Sequence, residues 1–104
     1  MSNKNTHENS YRITVEELQP KSAIPKTIQF EFQDRENLFN IIDNLKQNSG
    51  LEETQATRIG ISLRLLGPIL MANRKHSLFI DFMPHFKNFM LLLKNTVKKS
   101  LTNK

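Results

Sequence analysis

Few side chains in the sequence suggest a reactive or ligand-binding centre, and most of them lie in the C-terminal half. Arg74, Lys75, His76 and Ser77 are consecutive at the end of a long apolar run. Two cations, an imidazole and a hydroxyl there could converge with the amide N–H groups of a new turn on a phosphate or carboxylate, making a candidate anion-binding site. The same cations also suit the negative pole of a helix ending at that point, a reading that needs no ligand. His76, Asp81 and His85 are ligand types that zinc accepts, but spacings of five and four do not form a helical His-x-x-x-His pair and Pro84 interrupts the segment. No metal and no cofactor is expected.

Other catalytic arrangements find little support. Ser62 and Ser77 lie near His76 and Asp81 in sequence, without a nucleophile elbow around either. The carboxylate pairs Glu16-Glu17 and Glu52-Glu53 are adjacent, and adjacent side chains face apart in a strand or helix. Gly50, Gly60 and Gly67 make no phosphate-binding loop. The sequence therefore points to a non-enzymatic protein.

Composition narrows the class. A chain of 104 residues, 38% apolar with seven Phe, is long enough for one hydrophobic core. It has no cysteine, which removes disulfides and thiolate chemistry and fits a reducing, cytoplasmic setting. The N-terminal MSNKNTHENS has no apolar signal region. Apolar runs elsewhere are far shorter than the ~20 residues that span a bilayer, so no membrane partner is expected.

Charge is unevenly placed. Residues 1–53 hold six Lys/Arg against nine Asp/Glu, whereas residues 54–104 hold nine Lys/Arg against Asp81 alone. The basic half, with Arg58, Arg64, Lys87, Lys94, Lys98 and Lys99, gives an electrostatic footprint for nucleic acid or another anion. No RNP, KH or helix-turn-helix pattern accompanies it, and the Phe residues fall at core spacing. Attraction between the two halves, within one chain or across a dimer, accounts for the asymmetry equally well.

Periodicity outlines the strands and helices that carry these residues. Residues 1–10 are polar and aperiodic and read as a disordered tail. Tyr11, Ile13 and Val15 alternate with Arg12, Thr14 and Glu16; Ile28, Phe30 and Phe32 alternate with Gln29 and Glu31. Two half-buried strands paired as an antiparallel hairpin are expected, with Leu18 on the polar parity at the strand end. Asp34 is the expected N-cap of a helix carrying Leu38, Phe39, Ile41, Ile42 and Leu45, closed by Gly50. A second helix from Glu53 is apolar on two sides, through Ala56, Ile59, Leu63, Leu66 and Leu70 and through Ile61, Leu65, Ile69 and Ala72.

Such a helix is normally buried between neighbours, and it reads as the spine on which the hairpin and the other helices pack. Gly60 and Gly67 mark expected close approaches, and Pro68 an expected kink rather than a break. Ser77 is the expected cap of a short turn. Pro84 then opens a last helix with Phe86, Phe89, Met90, Leu93 and Val97 on one stripe, and residues 99–104 read as a frayed tail. The expected architecture is α+β: an N-terminal antiparallel β-hairpin packed, roll-like, on three main helices in the order β-β-α-α-α, as a single domain over residues 11–98.

Three segments also carry a resemblance: Tyr11-Arg12-Ile13-Thr14-Val15, the run from Gly60 to Leu66, and Asn73-Arg74-Lys75-His76-Ser77-Leu78-Phe79. Together they resemble a family of small bacterial proteins known only as a domain of unknown function. The resemblance spans Tyr11 to Leu93, and its most recognisable piece is the Arg-Lys-His-x-Leu-Phe segment. The family usually has proline where this chain has Ser77 and another residue where it has Pro68. What the resemblance implies is an α+β roll with an N-terminal hairpin; it brings no activity, cofactor or catalytic residue. With one hairpin edge uncovered and more apolar helical surface than so short a chain needs, association is the expected mode of action, as a homodimer or with a protein partner.

Overall fold

The computed structural model describes residues 8–19, 21 and 23–102. Two strands, β1 (Asn9–Glu16) and β2 (Thr27–Asp34), precede three helices, α1 (Leu38–Asn48), α2 (Glu53–Ala72) and α3 (Met83–Thr102). The class is α+β in the order β-β-α-α-α. The chain divides after Asn37 into two compact units, the hairpin unit and the helical unit.

In the hairpin unit the strands pair antiparallel from Asn9↔Asp34 to Glu16↔Thr27 without a bulge. This register places Tyr11 opposite Phe32, Ile13 opposite Phe30 and Val15 opposite Ile28, all on one face. A slip of one residue would turn every apolar side chain to the other face, so the alternation itself selects the register. The Tyr11 and Phe32 ring centroids are 5.5 Å apart. On the opposite face Arg12 Nη2 meets Glu31 Oε2 at 2.6 Å, and Gln29 Nε2 donates to Thr14 Oγ1 at 2.9 Å. The ion pair is well exposed and contributes about 0.2–1 kcal/mol.

Three details depart from expectation. The ladder begins at Asn9, two residues before the alternation is visible, because pairing with Asp34 continues after the apolar pattern stops; residues 1–7 of the expected tail lie outside the described residues. Leu18 follows the strand and is 84% exposed. Asp34 does not cap a helix: it ends β2, and its Oδ1 accepts from Glu36 N at 3.0 Å. That turn is tied to β1 through Asn9 Nδ2, which donates to Glu36 O at 3.2 Å.

In the helical unit α1 presents Leu38, Ile42, Leu45 and Asn48 as its buried residues, a stripe at helical spacing. The principal helix contacts join α1 to α2 and α1 to α3. The short first helix, rather than the long second one, is therefore the common neighbour. An apolar periphery on α2 says that the helix wants cover, but not which helix supplies it. Gly50, at φ +84°, ends α1 in the left-handed conformation expected there.

α2 is capped by Glu52, whose Oε1 accepts from Gln55 N at 3.2 Å, and runs unbroken through Pro68 to Ala72. Ala56 and Leu70 are fully buried. Between them Gly60 allows a close approach: a Cβ built there would lie 3.2 Å from Ile42 Cγ1 and 3.2 Å from Leu45 Cδ1. Gly67 does not repeat this, since a Cβ there would meet no neighbour within 4 Å. α3 continues through residues 99–102, where a frayed tail was expected, because Ser100 is held by α1; residues 103–104 lie outside the described residues.

Candidate binding surfaces of the helical unit

The segment from Asn73 to Phe82 connects α2 to α3 and carries the four residues expected to form an anion site. Asn73 closes α2: its backbone N–H donates to Ile69 O at 3.1 Å and Leu70 O at 3.2 Å, and its Nδ2 donates to Ile69 O at 2.8 Å. The carbonyl end of the helix is thus satisfied by an amide, and α2 has no basic residue in its last turn. The cations Arg74 and Lys75 come after the cap and are exposed.

His76 organises the turn that follows. Its N–H donates to Asn73 O at 2.9 Å, and its carbonyl accepts from both Phe79 N and Ile80 N at 2.9 Å. Its Nδ1 accepts from Leu78 N at 3.0 Å, which places the ring proton of the neutral imidazole on Nε2. The ring also packs near Phe79, with centroids 5.8 Å apart. The turn cap expected of Ser77 is supplied by the His76 ring. Of the four candidates, His76 is committed to local structure, while Arg74, Lys75 and Ser77 stay exposed on the same turn. Among the described residues no group of three or more His, Asp or Glu side chains comes together to hold a metal, so His76, Asp81 and His85 are not assembled.

A second surface was not legible as a site. Met71, Phe86, Met90 and Leu91 floor a shallow depression of about 550 Å³ between the end of α2 and the first half of α3, with Lys87 and Lys94 at its rim. The two lysines are seven residues apart and fall on one side of α3. An apolar floor with cations at its edge suits an apolar surface bordered by acids. The useful signal was the pair of lysines bracketing Met90-Leu91. Met71 and Leu91 belong to none of the core stripes, so periodicity passed over them.

Apolar exposure extends beyond this depression. Ile69 is 51% exposed on α2, and Phe89, Leu91 and Leu92 are 43%, 57% and 65% exposed on α3. Phe89, expected on the core stripe with Phe86 and Met90, lies at its open margin. Among the described residues no helix is long and apolar enough to cross a membrane.

Comparison with known proteins gives a family and a fold relative. The model of a family described as a domain of unknown function with a solved structure, DUF3861, matches residues 9–95. A crystal structure of a protein of unknown function from Pectobacterium atrosepticum is similar at 34% identity, over 84% of this chain and 97% of that one, with a TM-score of 0.72. Among curated proteins none matches. With the match running through the hairpin and all but the end of α3, the chain belongs to the DUF3861 family.

Proposed function

We propose that this protein is a non-enzymatic, cytoplasmic module that acts by association, and that its first partner is a second copy of itself. The observation that supports the reading is the imbalance of apolar surface. Among the described residues the buried apolar side chains are Leu38, Ile42, Leu45, Ala56, Leu70 and Met83, whereas Phe39, Ile69, Phe89, Leu91 and Leu92, among others, remain exposed. Scattered apolar residues are ordinary on a monomer, but contiguous ones on α2 and α3 are the usual mark of an interaction surface. Sedimentation equilibrium or light scattering at micromolar concentration tests the reading. A mass twice that of one chain is expected, and a strictly monomeric chain overturns it.

A second reading has its own support. The helical unit carries ten Lys/Arg against four Asp/Glu, and Arg74, Lys75, Lys87 and Lys94 lie on or beside its candidate surfaces. An anionic partner, nucleic acid included, would bind there in a salt-dependent manner. Filter binding to DNA and RNA over a salt series checks it: retention that falls as salt rises is expected, and no retention at low salt removes the reading.

A further inference from the structure

A contact for self-association can be drawn from the hairpin unit taken by itself; it rests on the reading of the protein as a homodimer. The sheet has two strands, so each strand has one edge without a strand neighbour among the described residues. Glu17 N donates to Lys26 O at 3.0 Å, one step beyond the pair Glu16↔Thr27. Hydrogen-bonded and non-hydrogen-bonded pairs alternate along an antiparallel ladder. Odd-numbered residues of β1 therefore turn their N–H and C=O groups toward β2. Ser10, Arg12, Thr14 and Glu16 turn theirs to the outer edge.

Apart from the charges of Arg12 and Glu16, that edge carries no device against pairing among the described residues. The register from Asn9 to Glu16 is unbroken, with no proline, no bulge and no lysine, the devices that blunt an open edge. Its side chains are self-complementary. Thr14 lies midway between Arg12 and Glu16, and Ile13 and Val15 flank it on the apolar face.

We infer that β1 pairs antiparallel with β1 of a second copy about a two-fold axis at Thr14, making a four-stranded sheet in the order β2-β1-β1-β2. In this register Thr14 faces Thr14, Arg12 of each copy faces Glu16 of the other, and Ile13 faces Val15, so charges are matched and the apolar face continues across the axis. Only outward-turned residues meet as hydrogen-bonded pairs, as the ladder requires. Other centres do worse. An axis at Arg12 or Glu16 sets like charges opposite each other, and one at Ile13 leaves Arg12 facing Thr14. The edge of β2 offers Thr27, Gln29, Glu31 and Gln33, where Glu31 is paired with Arg12 of its own chain and no cation on that edge would face it from a second copy. Val15, 56% exposed, gains cover from Ile13 of the other copy.

Because the chain has no cysteine, Thr14→Cys in the full-length protein gives an unambiguous crosslink. Facing residues of a hydrogen-bonded pair have Cα atoms about 5.5 Å apart, within the span of a disulfide. Mild oxidation is expected to give a covalent dimer with Thr14→Cys and none with Gln33→Cys on the other edge. Thr14→Pro removes an outward N–H and leaves the β1–β2 ladder intact, so it is expected to yield a folded monomer by circular dichroism and sedimentation. Glu16→Arg sets like charges opposite each other twice and is expected to weaken dimerisation roughly tenfold. A dimer that persists in folded Thr14→Pro, or, should that variant not fold, one unaffected by Glu16→Arg, overturns this contact while leaving self-association standing. So does a crosslink through Gln33→Cys in place of Thr14→Cys. A wild-type chain that is monomeric at every concentration overturns both.

Discussion

Ser100 Oγ donates to Asn48 Oδ1 at 3.0 Å, joining the last turn of α3 to the last residue of α1. Asn48 is 4% exposed, and its Nδ2 donates to Asn44 Oδ1 at 2.7 Å and to Asn44 O at 3.2 Å. A buried amide is tolerated because both of its ends are satisfied. Ser100→Ala takes away the partner of a buried acceptor, so a loss of about 1–3 kcal/mol is expected by urea denaturation. Lys99→Ala, one residue away and exposed, is expected to stay within about 0.5 kcal/mol of wild type. Equal effects from the two would mean that the hydrogen bond holds nothing in place.

Gly60 of α2 lies against Ile42 and Leu45 of α1 with no room for a side chain to spare. Its absent side chain leaves room for Ile42 and Leu45, both buried. Valine brings a Cβ into a 3.2 Å approach and adds two methyl groups beyond it. Gly60→Val is expected to cost about 1–3 kcal/mol through overpacking, even though glycine is a poor helix former. Thermal unfolding of Gly60→Val, Ile42→Ala and the double variant provides the check: the double variant should lose less than the sum of the two single losses, since the smaller residue at 42 makes space.

The connection between α2 and α3 separates the roles of its charged residues. His76→Ala removes the acceptor for Leu78 N and is expected to lower stability by about 0.5–1.5 kcal/mol. His76→Asn keeps a short acceptor suited to the same turn and should retain more of it. Arg74→Ala with Lys75→Ala changes exposed side chains beyond the helix cap and should leave the melting temperature nearly unchanged. A stability loss from the Arg74/Lys75 pair matching that of His76→Ala would show that the cations, not the imidazole, hold the turn.

Much of this architecture was legible because period marks the apolar face of an element, even where, as at Val15, Ile28 and Phe30, that face stays exposed instead of half-buried. Ile13 and Phe30 alternate with polar neighbours, and Leu38, Ile42 and Leu45 recur at helical spacing, so each declared its element before any coordinates. Partners were harder to read. α2 is apolar on two sides, and nothing local to it says that α1 takes the side with Gly60. Asn9 and Ser10 join β1 because Asp34 and Gln33 pair with them, a fact about another segment. At the candidate site the cations were conspicuous, yet Asn73 and His76 do the structural work. Capping there depends on where α2 ends, which periodicity fixes only to within a residue or two.

The Gly67-Pro68 step offers the sharpest test of local conformational logic. Pro68 lies inside a continuous helix although it has no N–H to donate and its ring crowds the preceding turn. A proline also disfavours helical geometry in the residue before it, through contact of its Cδ with that residue's Cβ. Glycine has no Cβ, so Gly67 is the residue type best able to stay helical there. Space beyond the helix is not the constraint, because a Cβ at 67 meets no neighbour within 4 Å. Two effects therefore oppose each other in Gly67→Ala: a propensity gain of roughly 0.5–1 kcal/mol and the clash with Pro68. The substitution is expected to be neutral or destabilising in the wild-type chain and stabilising by about 0.5–1 kcal/mol in a Pro68→Ala background. Pro68→Ala alone should raise stability, since the helix regains a donor. A double-mutant cycle followed by urea denaturation measures the coupling. Independent effects at 67 and 68 would show that Gly67 is not there to accommodate the proline.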